Sequence, residues 1–152
     1  MSDDLALLED WAAGLLLKLA PSGRRKVAQA IATQLRRSQQ QRIKAQLDPD
    51  GQPFVERKAR KDLRGKKGRI KQAAMFAKLR TSRWLKARAT PSAATVAFVG
   101  HAARIAAVHQ YGEVDNVSPN GPRVRYAQRR LLGFTGHDRA MIRDTLIDHL
   151  SR

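Results

Sequence analysis

Cysteine is absent from this 152-residue chain, so neither a disulfide framework nor a thiolate zinc site is open to it. No apolar run approaches the ~20 residues that a membrane-spanning helix needs. Acidic residues are few, 13 against 30 Lys and Arg. They are also scattered, so paired carboxylates for hydrolysis or two-metal nuclease work are not evident. The four histidines, His101, His109, His137 and His149, include no pair four residues apart and no His-Glu-x-x-His pattern. A metal site would have to be assembled from distant parts of the chain. Ser118 lacks a Gly-x-Ser-x-Gly context. Gly65, Lys66, Lys67 and Gly68 lack both P-loop spacing and a preceding strand. These absences argue against an enzyme, and no metal or cofactor is expected.

What is present is positive charge. The formal net charge is +17, and it is unevenly laid out. Residues 1–20 hold four acids and one base, whereas residues 21–47 hold seven bases and no acid. Residues 57–88 hold fourteen bases and one acid, Asp62. Such a field attracts polyanions, either nucleic acid or an acidic protein surface. The acidic start (Asp3, Asp4, Glu9, Asp10) is unlike the basic opening of a signal peptide. The expectation is a soluble protein made in a cytoplasm, with no membrane partner.

Length and composition suit a single domain over 1–152, long enough to bury roughly 70% of its unfolded surface. Ser2 is expected to cap a first helix, with Leu5, Leu8, Ala12, Leu15, Leu16 and Leu19 at helical spacing up to Pro21. Ser22 is expected to cap a second helix, reaching about Leu47. Its narrow apolar stripe is Val27, Ile31, Leu35 and Ile43, with Gln39 in the gap. Arg24, Arg25, Lys26, Arg36, Arg37, Arg42 and Lys44 fill much of its remaining surface. Asp48-Pro49-Asp50-Gly51 reads as a turn, and Phe54 as an anchor onto the core.

From Trp84 the period changes to two. Leu85, Ala87 and Ala89 share one face and Trp84, Lys86 and Arg88 the other. After a short loop, Val96 and Phe98 complete a β-hairpin. A helix from Ala102 to about Gln110 follows, with Ile105 and Val108 or His109 inward, and Gly112 sits where a helix C-cap favours glycine. Residues 113–122 read as a loop and Arg123–Tyr126 as a third strand. Thr135 and Asp138 resemble a capping box for a last helix carrying Ile142, Leu146 and Leu150. The fold class is α+β: two N-terminal helices, a small antiparallel sheet with a β-hairpin, a crossing helix and a C-terminal helix.

Two features carry candidate contacts. Residues 57–71 hold Arg57, Lys58, Arg60, Lys61, Arg64, Lys66, Lys67, Arg69 and Lys71, two glycines and almost no apolar periodicity. They read as a mobile basic loop. It is a solvated segment, a contact for DNA phosphates, or a piece that docks on an acidic neighbouring subunit. No aromatic interleaves with these charges, which disfavours a base-stacking platform. The second feature is Trp84 beside Lys86 and Arg88. Either a partner surface or a helix covers that face.

Three blocks carry a family resemblance. They are Val108-His109-Gln110-Tyr111-Gly112; Tyr126 with Arg129-Arg130-Leu131-Leu132-Gly133-Phe134; and Met75-Phe76, Leu79-Arg80, Arg83-Trp84-Leu85, with Asp50-Gly51 and Pro53-Phe54 upstream. Together they resemble the virion morphogenesis, or tail completion, family of tailed phages, over roughly Leu5 to Leu150. Where members often have Tyr-Pro, this chain has Tyr126-Ala127. The resemblance implies a structural protein acting late in tail assembly at the tail–neck junction. It implies a virion location after assembly in the host cytoplasm, and a ring of copies, commonly sixfold, around the channel that DNA traverses. Neighbouring neck and tail proteins, and DNA in the channel, are the implied partners. His109, Gln110, Tyr111, Gly112, Leu131, Leu132 and Gly133 form its structural signature. The alternative reading is a non-specific nucleic-acid-binding protein using the basic segment.

Overall fold

The computed structural model describes residues 2–57 and 74–151. Four helices and two small antiparallel sheets follow one another as α1 (Ser2–Leu16), α2 (Pro21–Lys44), β1 (Leu85–Ala89), β2 (Ala94–Phe98), α3 (His101–Tyr111), β3 (Val114–Asn116), β4 (Arg123–Arg125) and α4 (Gly136–Leu150). Apart from Arg57, the basic stretch at 57–71 lies outside the described residues.

The 24-residue α2 is the spine, roughly 36 Å long at 1.5 Å per residue. Its stripe is buried as the periodicity predicts, and Gln39 is buried with it. Val27 and Ile31 pack with Leu146 of α4 and with Ala12, Leu16 and Leu19 from α1 and the segment after it. Ile43 packs with Phe54, Phe76, Ala106 and Leu131 in a second cluster. One helix therefore joins two cores, one toward each end.

The helix starts differ from expectation. Ser2 is already helical, and Asp3 and Asp4 occupy the first turn, where the helix dipole favours them. Ala20, not Ser22, is the N-cap of α2. Pro21 takes the first helical position, where its fixed φ suits the helix and its missing N–H costs nothing. α2 stops at Lys44, because Gln46 turns the chain with φ 62°.

The hairpin registers Leu85 with Phe98 and Ala89 with Ala94. β1 alternates as expected, Leu85 buried and Lys86 and Arg88 exposed. The third strand does not join it. β4 pairs instead with β3, a three-residue strand inside the segment expected to be a loop. In α3 the inward residues are Ala102, Ala106 and Val108, while Ile105 faces out at 42% exposure. Small alanines let the helix approach its neighbours closely, and this outweighs the larger apolar residue's claim to the inside. Thr135 and Asp138 form a full capping box on α4.

Gly112 caps α3 at φ 64°, ψ 48°, in the left-handed region. A Cβ there would sit 3.2 Å from Gln128 Cβ and 3.3 Å from its backbone nitrogen. Gly112→Val should therefore lower stability by about 1–3 kcal/mol, since β-branched residues disfavour this conformation. Gly14→Ala makes the control. Gly14 is helical, and a Cβ added there would meet nothing within 4 Å, so alanine should stabilise by about 0.5–1 kcal/mol. Urea unfolding of the two variants checks both signs.

Candidate functional site: the junction of the signature blocks

The signature blocks lie far apart in the chain, yet most of them meet at one place. Phe54, Phe76 and Leu131 share a core cluster, with Met75 and Leu79 packed against it. Phe54 meets Phe76 edge-on at 5.5 Å between centroids, Phe76 meets His109 at 4.9 Å, and His109 meets Tyr126 at 5.1 Å. The backbone here is strained. Gln46 and Phe76 have φ of 62° and 65°, the two described non-glycine residues with positive φ. Each such residue costs on the order of 1–3 kcal/mol and persists only where its surroundings hold it.

Glutamine amides do much of that holding. Gln46 Nε2 donates to the Met75 carbonyl at 3.0 Å, and its Oε1 accepts from the Met75 N–H at 2.8 Å. Leu131, Leu132 and Gly133 lie outside any helix or strand, so their backbone groups need other partners. Gln110 Oε1 accepts from the Leu131 and Leu132 N–H groups at 2.8 and 3.0 Å, and its Nε2 donates to the Leu132 carbonyl at 2.9 Å. Gln39 pairs in the same two-pointed way with Gly133, at 3.2 and 3.0 Å. Arg42 donates to the Leu131 carbonyl at 2.8 Å and to the Leu47 carbonyl at 3.0 Å. Gly133 also touches Pro49 so closely that a Cβ would lie 2.5 Å from Pro49 Cγ. Only glycine fits there.

The network reaches α4 and the turn. Asp138, fully buried, accepts from Ser38, from Gln39 at 3.3 Å, and from the Thr135 N–H at 3.0 Å. Arg130 pairs with Asp48 and Asp50, tying the turn to the same segment. Asp48 Oδ1 in turn accepts from the Asp50 and Gln52 N–H groups, both at 2.9 Å.

Arg129 is 6% exposed. It donates to the Val55 carbonyl at 2.6 Å and the Glu56 carbonyl at 3.1 Å, and it lies 3.3 Å from His109 Nδ1. A guanidinium only donates, so Nδ1 must accept and the imidazole proton sits on Nε2. Burial first, then the charges of Arg129 and Arg57, lower the His109 pKa to about 4. The histidine is a neutral acceptor wedged between aromatic rings. Its side chain is satisfied by an arginine rather than by a backbone group.

A pocket of about 250 Å³ opens beside Arg129 and Arg130, but its one carboxylate, Asp48, is already engaged. Among the described residues no group of three metal-ligating side chains comes together. Tyr111 is 69% exposed and stands outside the junction. Trp84 is half-buried, 4.3 Å from the His101 ring and under the Arg83 guanidinium at 4.8 Å, while Lys86 and Arg88 are exposed. The start of α3 thus covers part of the Trp84 face.

Sequence reasoning misses Gln39, Arg42, Gln46 and Asp138 as parts of this network. Periodicity groups Arg42 with the surface bases and shows Gln39 only as a gap in a stripe. A polar residue at a buried helix position is the available signal, since it obliges a hydrogen bond.

His109 gives a pH test. An unfolded histidine takes up its proton near pH 6.5, before the folded one does. The contribution to stability is complete above about pH 6.5 and is lost as pH falls toward about 4. His109→Gln should flatten that part of the stability profile. Equal slopes for both proteins between pH 6.5 and 4, by urea midpoint, would contradict the assignment.

Similarity to known proteins extends over all the residues that meet here. The phage virion morphogenesis family model matches residues 3–151. Tail completion protein S of Escherichia phage P2 is 45% identical over 145 residues, covering 95% of each chain. No solved structure matches. The match spans both cores and every element from α1 to α4, and the chain belongs to the phage virion morphogenesis family, whose members are structural proteins and not enzymes.

Proposed function

We propose that this chain is a tail completion protein of a tailed phage or prophage. It acts late in tail assembly at the tail–neck junction, forms a ring of copies, sixfold in the simplest case, and docks neighbouring neck and tail proteins. The observation that carries this reading is the 45% identity, across 95% of both chains, to a protein named for tail completion. The junction of signature blocks supports it, because most of its polar groups are spent on backbone and on one another, as a rigid particle component requires. Its residues are in place to set the shape of the subunit, not to turn over a substrate.

The candidate contacts with DNA or with an acidic neighbour are Arg57, Lys58, Arg60, Lys61, Arg64, Lys66, Lys67, Arg69 and Lys71. A second candidate surface is Trp84, Lys86 and Arg88. Charge alone serves either kind of partner, and a charge of +17 keeps nucleic-acid binding as the second reading.

The test uses the purified chain and tails assembled without it. Discrete rings that join those tails are the expected result. Protein that stays monomeric, keeps nucleic acid through purification and loses it with salt would favour the second reading. Replacing Lys58, Lys61, Lys66, Lys67 and Lys71 by Gln separates the contacts further. If the stretch meets phosphates, DNA affinity falls and its salt dependence flattens. If it meets protein, DNA binding is unchanged and joining to tails fails.

A further inference from the structure

The two faces of α1 differ. Leu5, Leu8, Ala12, Leu15 and Leu16 are half-buried toward the protein, and Ala12 and Leu16 pack on the core shared by α2 and α4. On the far side Asp3, Leu7, Asp10, Trp11 and Gly14 follow three- and four-residue spacing and form one strip. All five are exposed, Leu7 at 67% and Trp11 at 40%. A large apolar pair ringed by carboxylates is left facing outward. Among the described residues, none of the acids Asp3, Asp4, Glu9 and Asp10 makes an ion pair.

The hairpin presents the opposite charge. Leu85, Ala87 and Ala89 face inward, which leaves Lys86 and Arg88 on the outer face. Their cross-strand neighbours are small, Ala97 and Thr95. Trp84 borders this face, and residues 84–99 contain no acid. The outer hairpin face is therefore shallow, basic and edged by a half-buried tryptophan.

We infer that the acidic, Leu7–Trp11 strip of α1 in one copy docks on the outer face of the β1–β2 hairpin in the next copy. This rests on the self-association proposed above and gives it a surface. The chain carries both halves of the charge match, which is why a second copy is the occupant. The two faces also belong to different regions of the spine. The core under α1 takes Val27 and Ile31 of α2, whereas Ala94, Thr95 and Val96 of the hairpin line a pocket together with Leu35 and Gln39. Contact between unlike faces is heterologous, so it repeats from copy to copy and closes into a ring when the rotation allows. Apolar anchors inside a charged rim match the usual anatomy of such contacts.

Two reversed full-length proteins test this. One carries Asp3→Lys and Asp10→Lys, so both of its faces are basic. The other carries Lys86→Glu and Arg88→Glu, so both are acidic. Circular dichroism first checks that each keeps its helix content, and light scattering after size exclusion then reads the mass. Wild type is expected to assemble, while each reversed protein alone assembles at least about tenfold more weakly, the scale set by losing charged contacts at an interface. Mixed in equal amounts, they should recover assembly, because each basic face now meets an acidic one. If wild type assembles and the reversed proteins alone do so equally well, the surface is wrong while self-association stands. If wild type stays monomeric at every concentration, the self-association reading falls as well. If the Lys86→Glu, Arg88→Glu protein assembles normally but loses DNA binding, the hairpin face belongs to nucleic acid and the inference is overturned.

Discussion

The structure depends on one constraint: a stretch of chain packed against the core with no ladder must still satisfy its backbone. Leu131 is buried and Leu132 and Gly133 are half-buried, all three outside any helix or strand. Each N–H and each C=O of these residues finds a side-chain partner, in Gln110, Gln39 or Arg42. A buried amide left without such a partner costs on the order of 1–3 kcal/mol. A primary amide suits the task because it offers a donor and an acceptor side by side, as a neighbouring strand would. Gln46 repeats the device at Met75.

From this constraint the rest of the architecture follows. Gln39 and Arg42 come from the spine helix and Gln110 from α3, so the clamped segment locks two helices together. Gln39 also reaches Asp138, which accepts from Ser38 as well and closes the capping box of α4. Arg130 draws in the Asp48–Asp50 turn, and Arg129 draws in Val55 and Glu56. The left-handed cap at Gly112 and the contact of Gly133 with Pro49 are the points where any side chain would push these pieces apart. Rigidity of this kind suits the proposed role, in which the chain presents fixed surfaces to its neighbours. Both faces inferred to meet between copies lie outside the clamped junction and are positioned by the same spine.

Much of the scaffold was legible because apolar periodicity is a local signal. The stripe of Val27, Ile31, Leu35 and Ile43, the inward face of α1, the alternation along β1 and the capping box at Thr135 all appear where their spacing placed them. The clamps were not legible, since a hydrogen bond across 94 residues, as between Gln39 and Gly133, leaves no trace in either neighbourhood. β3 was hidden for a related reason. Three mostly polar residues with one partly buried side chain carry no alternation to read. The burial of Ala106 over Ile105 was decided by how closely α3 packs, which composition does not encode. The signature blocks could be recognised from sequence as a set, but their meaning came from where they meet.

Amide hydrogen exchange at Leu131, Leu132 and Gly133 reads whether the glutamine clamps hold. Protection depends on whether a hydrogen bond is kept, and on how much structure must open to break it. If the glutamine clamps hold the fold together, these three amides exchange as slowly as those of Ile31 and Leu35 in the spine helix, despite lying outside regular structure. If they exchange as fast as the amides of the Ser118–Asn120 loop, the clamps are incidental and the account fails.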